Sequence, residues 1–191
     1  MNPAEKSGVW ILLGHEYAEI NEPQMAISAY KRAQEVDPND YRAWYALGQQ
    51  YELLDMFTAS LYYYSKAATL QPMNTVILTA LADSMNRCGK SSSAEIIMRR
   101  CVSISGNVDS SSIEGQTSLY RLGKFYADEG REASAAHYYS LYVRKLEACG
   151  SADSDLVMEV YVYLANYFKD PSETTDICFH FFCFRNYPEI A

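Results

Sequence analysis

Several short stretches carry residue types that could do chemistry. Gly89-Lys90-Ser91 has the tail of a phosphate-binding loop, where backbone N–H groups and a Lys hold phosphate oxygens. The full pattern needs a Gly at position 84, where Ser84 stands, and a strand before it, so a helix–helix turn is the better reading. His15-Glu16 opens as a zinc-protease HExxH does, but Glu19 stands where the second His belongs. Cys178, His180 and Cys183 offer metal-ligating atoms at a spacing that fits no common zinc site, and thiols packed between helices explain them better. His15, His137 and His180 are far apart, and none has a nucleophile at motif spacing. Tyr62-Tyr63-Tyr64 could stack on bases, but a single-strand platform needs interleaved Lys or Arg, which is absent here. These residues predict no catalytic group, no cofactor and no metal site.

The bulk properties narrow the class further. The chain has 191 residues, 24 acidic against 16 basic, for a net charge of −8. Nucleic-acid surfaces need clustered Lys and Arg to displace counterions, so this balance predicts no nucleic-acid partner and suits a basic peptide better. Seventeen Tyr against six Pro speak for packed aromatics rather than a disordered chain. Five Cys without a CxxC pair read as reduced, buried thiols. No basic-then-apolar run opens the sequence, no stretch of 18 uncharged apolar residues spans a membrane, and no Asn-x-Ser/Thr site occurs. An intracellular protein, in nucleus and cytoplasm, is expected.

What must position the remaining side chains is a repeat. A shift of 34 residues pairs Trp10 with Trp44, Leu13 with Leu47, Gly14 with Gly48 and Tyr17 with Tyr51. It also pairs Tyr30 with Tyr64, Ala33 with Ala67 and Pro38 with Pro72. Trp10, Leu13, Gly14 and Tyr17 share one face of a first helix, and Ala26, Tyr30 and Ala33 one face of a second. Gly14 and Ala26 are small enough for the two helices to approach closely, and Pro38 ends the unit. This spacing resembles the tetratricopeptide signature, which implies an all-α, right-handed α-solenoid of antiparallel helix pairs.

The expected units are 7–40, 41–74, a degenerate 75–108, then 116–149 and a degenerate 158–191. Residues 1–6 read as the end of a preceding repeat or a linker, 109–115 as a loop insertion and 150–157 as a linker. Asn21, Asp55, Gly89, Gly130 and Asp170-Pro171-Ser172 mark the turn inside each pair, with Gly supplying φ > 0 and Asp, Asn or Ser capping the next helix. Residues 177–184 are apolar nearly all round, which predicts a longer array or a stacking partner, with at least one outward ring among Phe181, Phe182 and Phe184.

Beside the buried positions, the first helices present a second face. It reads Ile11 and His15, then Arg42, Tyr45, Gln49 and Glu52, then Thr79, Asp83 and Asn86, then Tyr120 and Lys124. Glu52 and Asp83 could accept an Arg from a ligand, and Tyr45 and Tyr120 could flank its planar or apolar parts. A clamp for a chaperone tail needs Lys and Asn on the first repeat, where Ile11 and His15 stand.

The segments from Gly14 to Tyr17, Ala26 to Tyr30, Asp40 to Gln49 and Leu61 to Tyr64 are similar to subunit eight of the anaphase-promoting complex, the cell-division-cycle protein 23 family. The match is closest over residues 10–74. It implies a non-catalytic scaffold or adaptor subunit of a ubiquitin ligase in cell division, contacting other subunits and an Arg-containing activator peptide. The groove residues to carry over are Arg42, Tyr45, Gln49 and Glu52, joined by Asp83 and Asn86 on the next repeat. The family's homodimer is made by amino-terminal repeats that this sequence does not match, so a homodimer is not carried over. The alternative reading is a general tetratricopeptide adaptor, such as a chaperone cofactor, with an enzyme's repeat region as a third class.

Overall fold

The computed structural model describes residues 3–107, 113–149 and 155–168. Among the described residues all regular structure is helical. The helices are α1 (Pro3–Glu19), α2 (Pro23–Val36), α3 (Tyr41–Leu53), α4 (Phe57–Leu70), α5 (Thr75–Arg87), α6 (Ser91–Asn107), α7 (Ile113–Asp128), α8 (Glu132–Cys149) and α9 (Asp155–Tyr167). The fold class is all-α, with helix pairs of the α-solenoid kind. Two compact units divide between Ile104 and Ser105.

In the first unit α1 packs on α2, α2 on α3, α3 on α4 and α4 on α5. One apolar cluster joins Ile11 of α1, Ile27, Tyr30 and Ala33 of α2, and Ala43 and Leu47 of α3. The next joins Trp44 of α3, Tyr64 and Ala67 of α4, Leu78 and Leu81 of α5, and Cys101 of α6. In the second unit α8 packs against both α7 and α9.

Close approach within a pair depends on the repeated Gly. A Cβ on Gly14 would lie 2.4 Å from the Tyr30 ring, one on Gly48 2.5 Å from Tyr64, and one on Gly123 2.7 Å from Tyr139. The degenerate repeat follows the same rule with other residues, since Ala82 stands at the glycine position and Met98 at the tyrosine position. Ser60, at an Ala position of the signature, is buried and shares a 2.9 Å hydrogen bond with Ser84.

The turns differ from expectation in one respect. Asn21, Asp55, Gly89 and Gly130 all take positive φ, at 59°, 57°, 74° and 71°. They close the same C-terminal motif: the N–H after each donates to the carbonyl five residues back, as Glu22 does to Tyr17 at 2.9 Å and Met56 to Tyr51 at 2.9 Å. None of them caps the helix that follows; the N-cap positions of α2 and α4 are Glu22 and Met56, and neither makes a side-chain cap. The side-chain caps form between repeats, at Asp40 of α3 and Asn74 of α5.

Element starts also shift. Residues 3–6, expected to belong to the end of a preceding repeat or to a linker, form the first turn of α1, where Pro3 has no intrahelical N–H to lose. Helix α7 begins at Ile113, inside the expected insertion, and α9 at Asp155, inside the expected linker. The expected turn at Asp170-Pro171-Ser172 and the apolar stretch 177–184, with Phe181, Phe182 and Phe184, lie outside the described residues.

Candidate peptide-binding face

The candidate residues sit on α3 and α5, which neighbour one another across α4. Their arrangement centres on a side chain that the sequence reading assigned to the core alone, Tyr64 of α4. Its ring is pressed over Gly48, and its hydroxyl donates to Oε2 of Glu52, one turn further along α3, at 2.8 Å. The Tyr45 ring lies 5.5 Å from the Tyr64 ring at 43°. Asp83 is close enough for its charge to act on the same phenol. Burial, then the hydrogen bond to Glu52, then the charges of Glu52, Tyr45 and Asp83 push the Tyr64 phenol well above its ordinary range. Tyr64 is therefore a fixed donor that holds the half-buried Glu52 carboxylate in place.

Two carboxylates near one phenol form an acceptor-rich patch. A carboxylate has room for about four hydrogen bonds, so the bond from Tyr64 leaves Glu52 able to accept from a guanidinium. Gln49, one turn before Glu52, is exposed and adds an amide. The signal that pointed to Tyr64 was present in the sequence: a phenol recurring at 30, 64 and 139 among buried positions needs a hydrogen-bond partner. At Tyr30 that partner is His15, whose Nδ1 lies 2.8 Å from the hydroxyl.

The remaining two residues lie apart from this cluster. Arg42 is at the start of α3, where its Nε and Nη2 donate to Asp40 at 2.9 and 2.8 Å. The same buried carboxylate accepts the Arg42 N–H as the helix cap and the Ser7 hydroxyl at 3.0 Å. Burial would raise the Asp40 pKa, but the hydrogen bonds from Arg42 and Ser7 and the Arg42 charge outweigh it, and the carboxyl is held below its ordinary value. Asn86 accepts from the Ser91 hydroxyl at 2.9 Å and ties the end of α5 to the start of α6. Tyr45, Gln49, Glu52 and Asp83 thus form one patch, while Arg42 and Asn86 brace the helix ends.

Two positions expected on the accessible face are buried instead. Ile11 packs into the α1–α2–α3 cluster, because an aliphatic side chain at that register gains more by facing α2. Tyr120 is buried in the second unit, with its hydroxyl donating to Glu159 at 3.0 Å. Among the described residues no group of His, Cys, Asp and Glu is placed to hold a metal. No helix of the described residues is long and apolar enough to cross a membrane.

Residues 7–49 match a family model described as tetratricopeptide repeat. Anaphase-promoting complex subunit 3 of Schizosaccharomyces pombe is 28% identical over 79 residues, 41% of this chain and 12% of that protein. Superkiller complex protein 3 of Homo sapiens is 42% identical over 43 residues, 22% of this chain and 3% of that protein. The chain therefore spans only a small part of either relative. A solved structure titled for functional characterisation of pilF from Pseudomonas aeruginosa superposes with a TM-score of 0.69 at 18% identity, covering 90% of this chain and 71% of that one. At that identity the likeness concerns the fold.

Proposed function

We propose that this chain of tetratricopeptide repeats is a non-catalytic scaffold and adaptor within the anaphase-promoting complex, contacting its other subunits and gripping an Arg-containing activator peptide. The observation that carries the peptide reading is the patch around Tyr64, where Glu52 is pre-positioned by a 2.8 Å hydrogen bond and Asp83 adds a second negative charge. A guanidinium entering there meets the Glu52 carboxylate already in place, with the charge of Asp83 nearby, and Tyr45 supplies a flat flank for its planar group. The relative named as a subunit of that complex supports the assembly. In the family that the first two repeats resemble, subunit eight, this kind of surface receives an activator's Arg-containing box.

A second reading, a repeat adaptor of another assembly, is favoured by the higher local identity to Superkiller complex protein 3. Affinity purification from cells followed by mass spectrometry separates the two. Cullin-like and RING subunits co-purifying with the chain are the expected result. Recovery of a different assembly without them would replace the first reading by the second.

A further inference from the structure

The charges of the first unit are sorted between the two helices of each pair. Helices α2, α4 and α6 carry the cations Lys31, Arg32, Lys66, Arg99 and Arg100 against the carboxylates Glu35 and Glu95. Helices α1, α3 and α5 show the reverse, with Lys6, Arg42 and Arg87 against Glu5, Glu16, Glu19, Glu52 and Asp83. The cations of the second helices also share a register. Arg32, Lys66 and Arg100 stand 34 residues apart, each directly before a buried residue, Ala33, Ala67 and Cys101, and all three are exposed. Lys31 and Arg99 stand beside them and are exposed too. Shared packing joins the helices that present the row. Tyr63 of α4 packs against the cluster holding Ile27 and Ala33 of α2, and Ile97 and Cys101 of α6 belong with Ala67 and Ala68 of α4.

Little within the unit offsets this row. Arg32 pairs with Glu35 at 3.1 Å and Arg99 with Glu95 at 3.0 Å, each on its own helix in solvent, where such pairs contribute little. The Lys66 ammonium lies 5.8 Å from the centre of the Tyr62 ring, and α4 carries no carboxylate. Arg100 Nη2 donates to the Pro72 carbonyl at 3.0 Å, a contact that orients the guanidinium without cancelling its charge. One turn before the cations, at the same spacing, stand Ser28, Tyr62 and Ile96. Tyr62 is 53% exposed and Ile96 68%, and the Tyr62 ring is braced by the edges of Trp44 and Tyr63. Cations with an aromatic and an aliphatic side chain alongside complement a segment in which Asp or Glu alternate with apolar residues. The dense charge of a nucleic acid fits less well, because Glu35 and Glu95 stand within the row and the chain carries a net charge of −8.

We propose that the exposed side of α2, α4 and α6 binds an acidic segment of a partner protein, its carboxylates set against Arg32, Lys66 and Arg100 and its apolar residues against Tyr62 and Ile96. The two Arg offer a carboxylate a paired set of donors, and Lys66 offers a point charge between them in the sequence of repeats. This surface belongs to the second helices, whereas Glu52 and Asp83 belong to the first, so it does not rest on the Arg-peptide reading of the Tyr64 patch.

The test uses the full chain and a fluorescent peptide of repeated Asp-Glu-Leu triplets, with a repeated Asn-Gln-Leu peptide of equal length as the neutral control. The acidic peptide is expected to bind at low ionic strength and to be released as salt screens the contact, and the neutral peptide not to bind. Lys66→Glu is expected to weaken the acidic peptide about five-fold or more, and Arg32→Gln/Lys66→Gln about ten-fold, with helical content unchanged in circular dichroism. Lys90→Glu makes the same charge change at an exposed position of the α5–α6 turn, off the row, and is expected to leave the affinity as it is. Should Lys66→Glu disturb folding, the double Gln variant decides alone. Equal losses in Lys66→Glu and Lys90→Glu would reduce the effect to net charge and overturn the proposal. Failure of the acidic peptide to bind, or equal binding of the neutral one, would also overturn it. So would tighter, Lys66-dependent binding of oligothymidylate or of phosphatidylserine vesicles, which would make the occupant a nucleic acid or a membrane.

Discussion

Gly14 and Tyr30 show how one residue choice constrains another across a helix pair. A methyl group on Gly14 would fall inside the Tyr30 ring, so Gly14→Ala must push a buried phenol aside and is expected to cost about 1–3 kcal/mol. The chain contains its own compensated version, Ala82 with Met98 at the same two positions. The double variant Gly14→Ala/Tyr30→Met should therefore be less destabilised than the sum of the single ones in a denaturant double-mutant cycle. Additive losses would show that the glycine is not there for the ring. The packing role of these residues was legible in the 34-residue spacing. The polar role of Tyr64 was not, because spacing locates a side chain's body on the core face but says nothing of where its hydroxyl emerges. The same gap explains Ile11 and Tyr120. Their register placed them beside the groove, and the depth of the neighbouring helix, absent from any one-dimensional pattern, buried them.

At the scale of elements, the sequence marked the four within-pair turns among the described residues, at Asn21, Asp55, Gly89 and Gly130, but misassigned the work of Asn21 and Asp55. Residue types favoured at caps are also those tolerated at positive φ, and only the three-dimensional closure distinguishes the two. Asp55 sits at φ 57° and is exposed, so Asp55→Gly is expected to raise stability by about 0.5–1 kcal/mol in denaturant unfolding. A loss of stability would mean its side chain does more than accept the strained backbone. Asp40 is the complementary case, a cap whose carboxylate also binds Arg42 and Ser7. Its pKa is lowered by folding, against the opposing effect of burial, so the unfolded chain takes up the proton first. Its contribution is fully present above the ordinary carboxylate pKa of about 3.9 and is lost as pH falls through the lower folded value. Asp40→Asn should flatten that part of the acid-unfolding profile. An unchanged slope below about pH 4 would show that the carboxylate has no preferential stabilisation in the fold.

For the molecule as a whole, the repeat determined what could be read. Fold class and helix pairing followed from residues whose matches recur, Trp10 with Trp44 and Gly14 with Gly48 among them, because a repeated pattern states the same packing rule twice. The helix starts at Ile113 and Asp155 were missed where the 34-residue clock breaks, since an irregular segment has no second copy against which to read it. The candidate face was half legible: polar residues at groove register named Tyr45, Gln49, Glu52 and Asp83, but the structure was needed to detach Arg42 and Asn86 from them. The central claim is that this patch takes an Arg from a peptide. Glu52→Ala would also strip the acceptor from the buried Tyr64 hydroxyl, so the informative variant is Glu52→Gln, whose amide oxygen still accepts that bond while the negative charge is gone. Titration of a fluorescent activator-box peptide against the parent chain, Glu52→Gln, and Glu22→Ala at the α1–α2 turn decides the claim. The account predicts binding weakened about ten-fold or more by Glu52→Gln, left unchanged by Glu22→Ala, and lost when the peptide's Arg is replaced by Ala. Equal affinity of Glu52→Gln and the parent for the Arg peptide would contradict it.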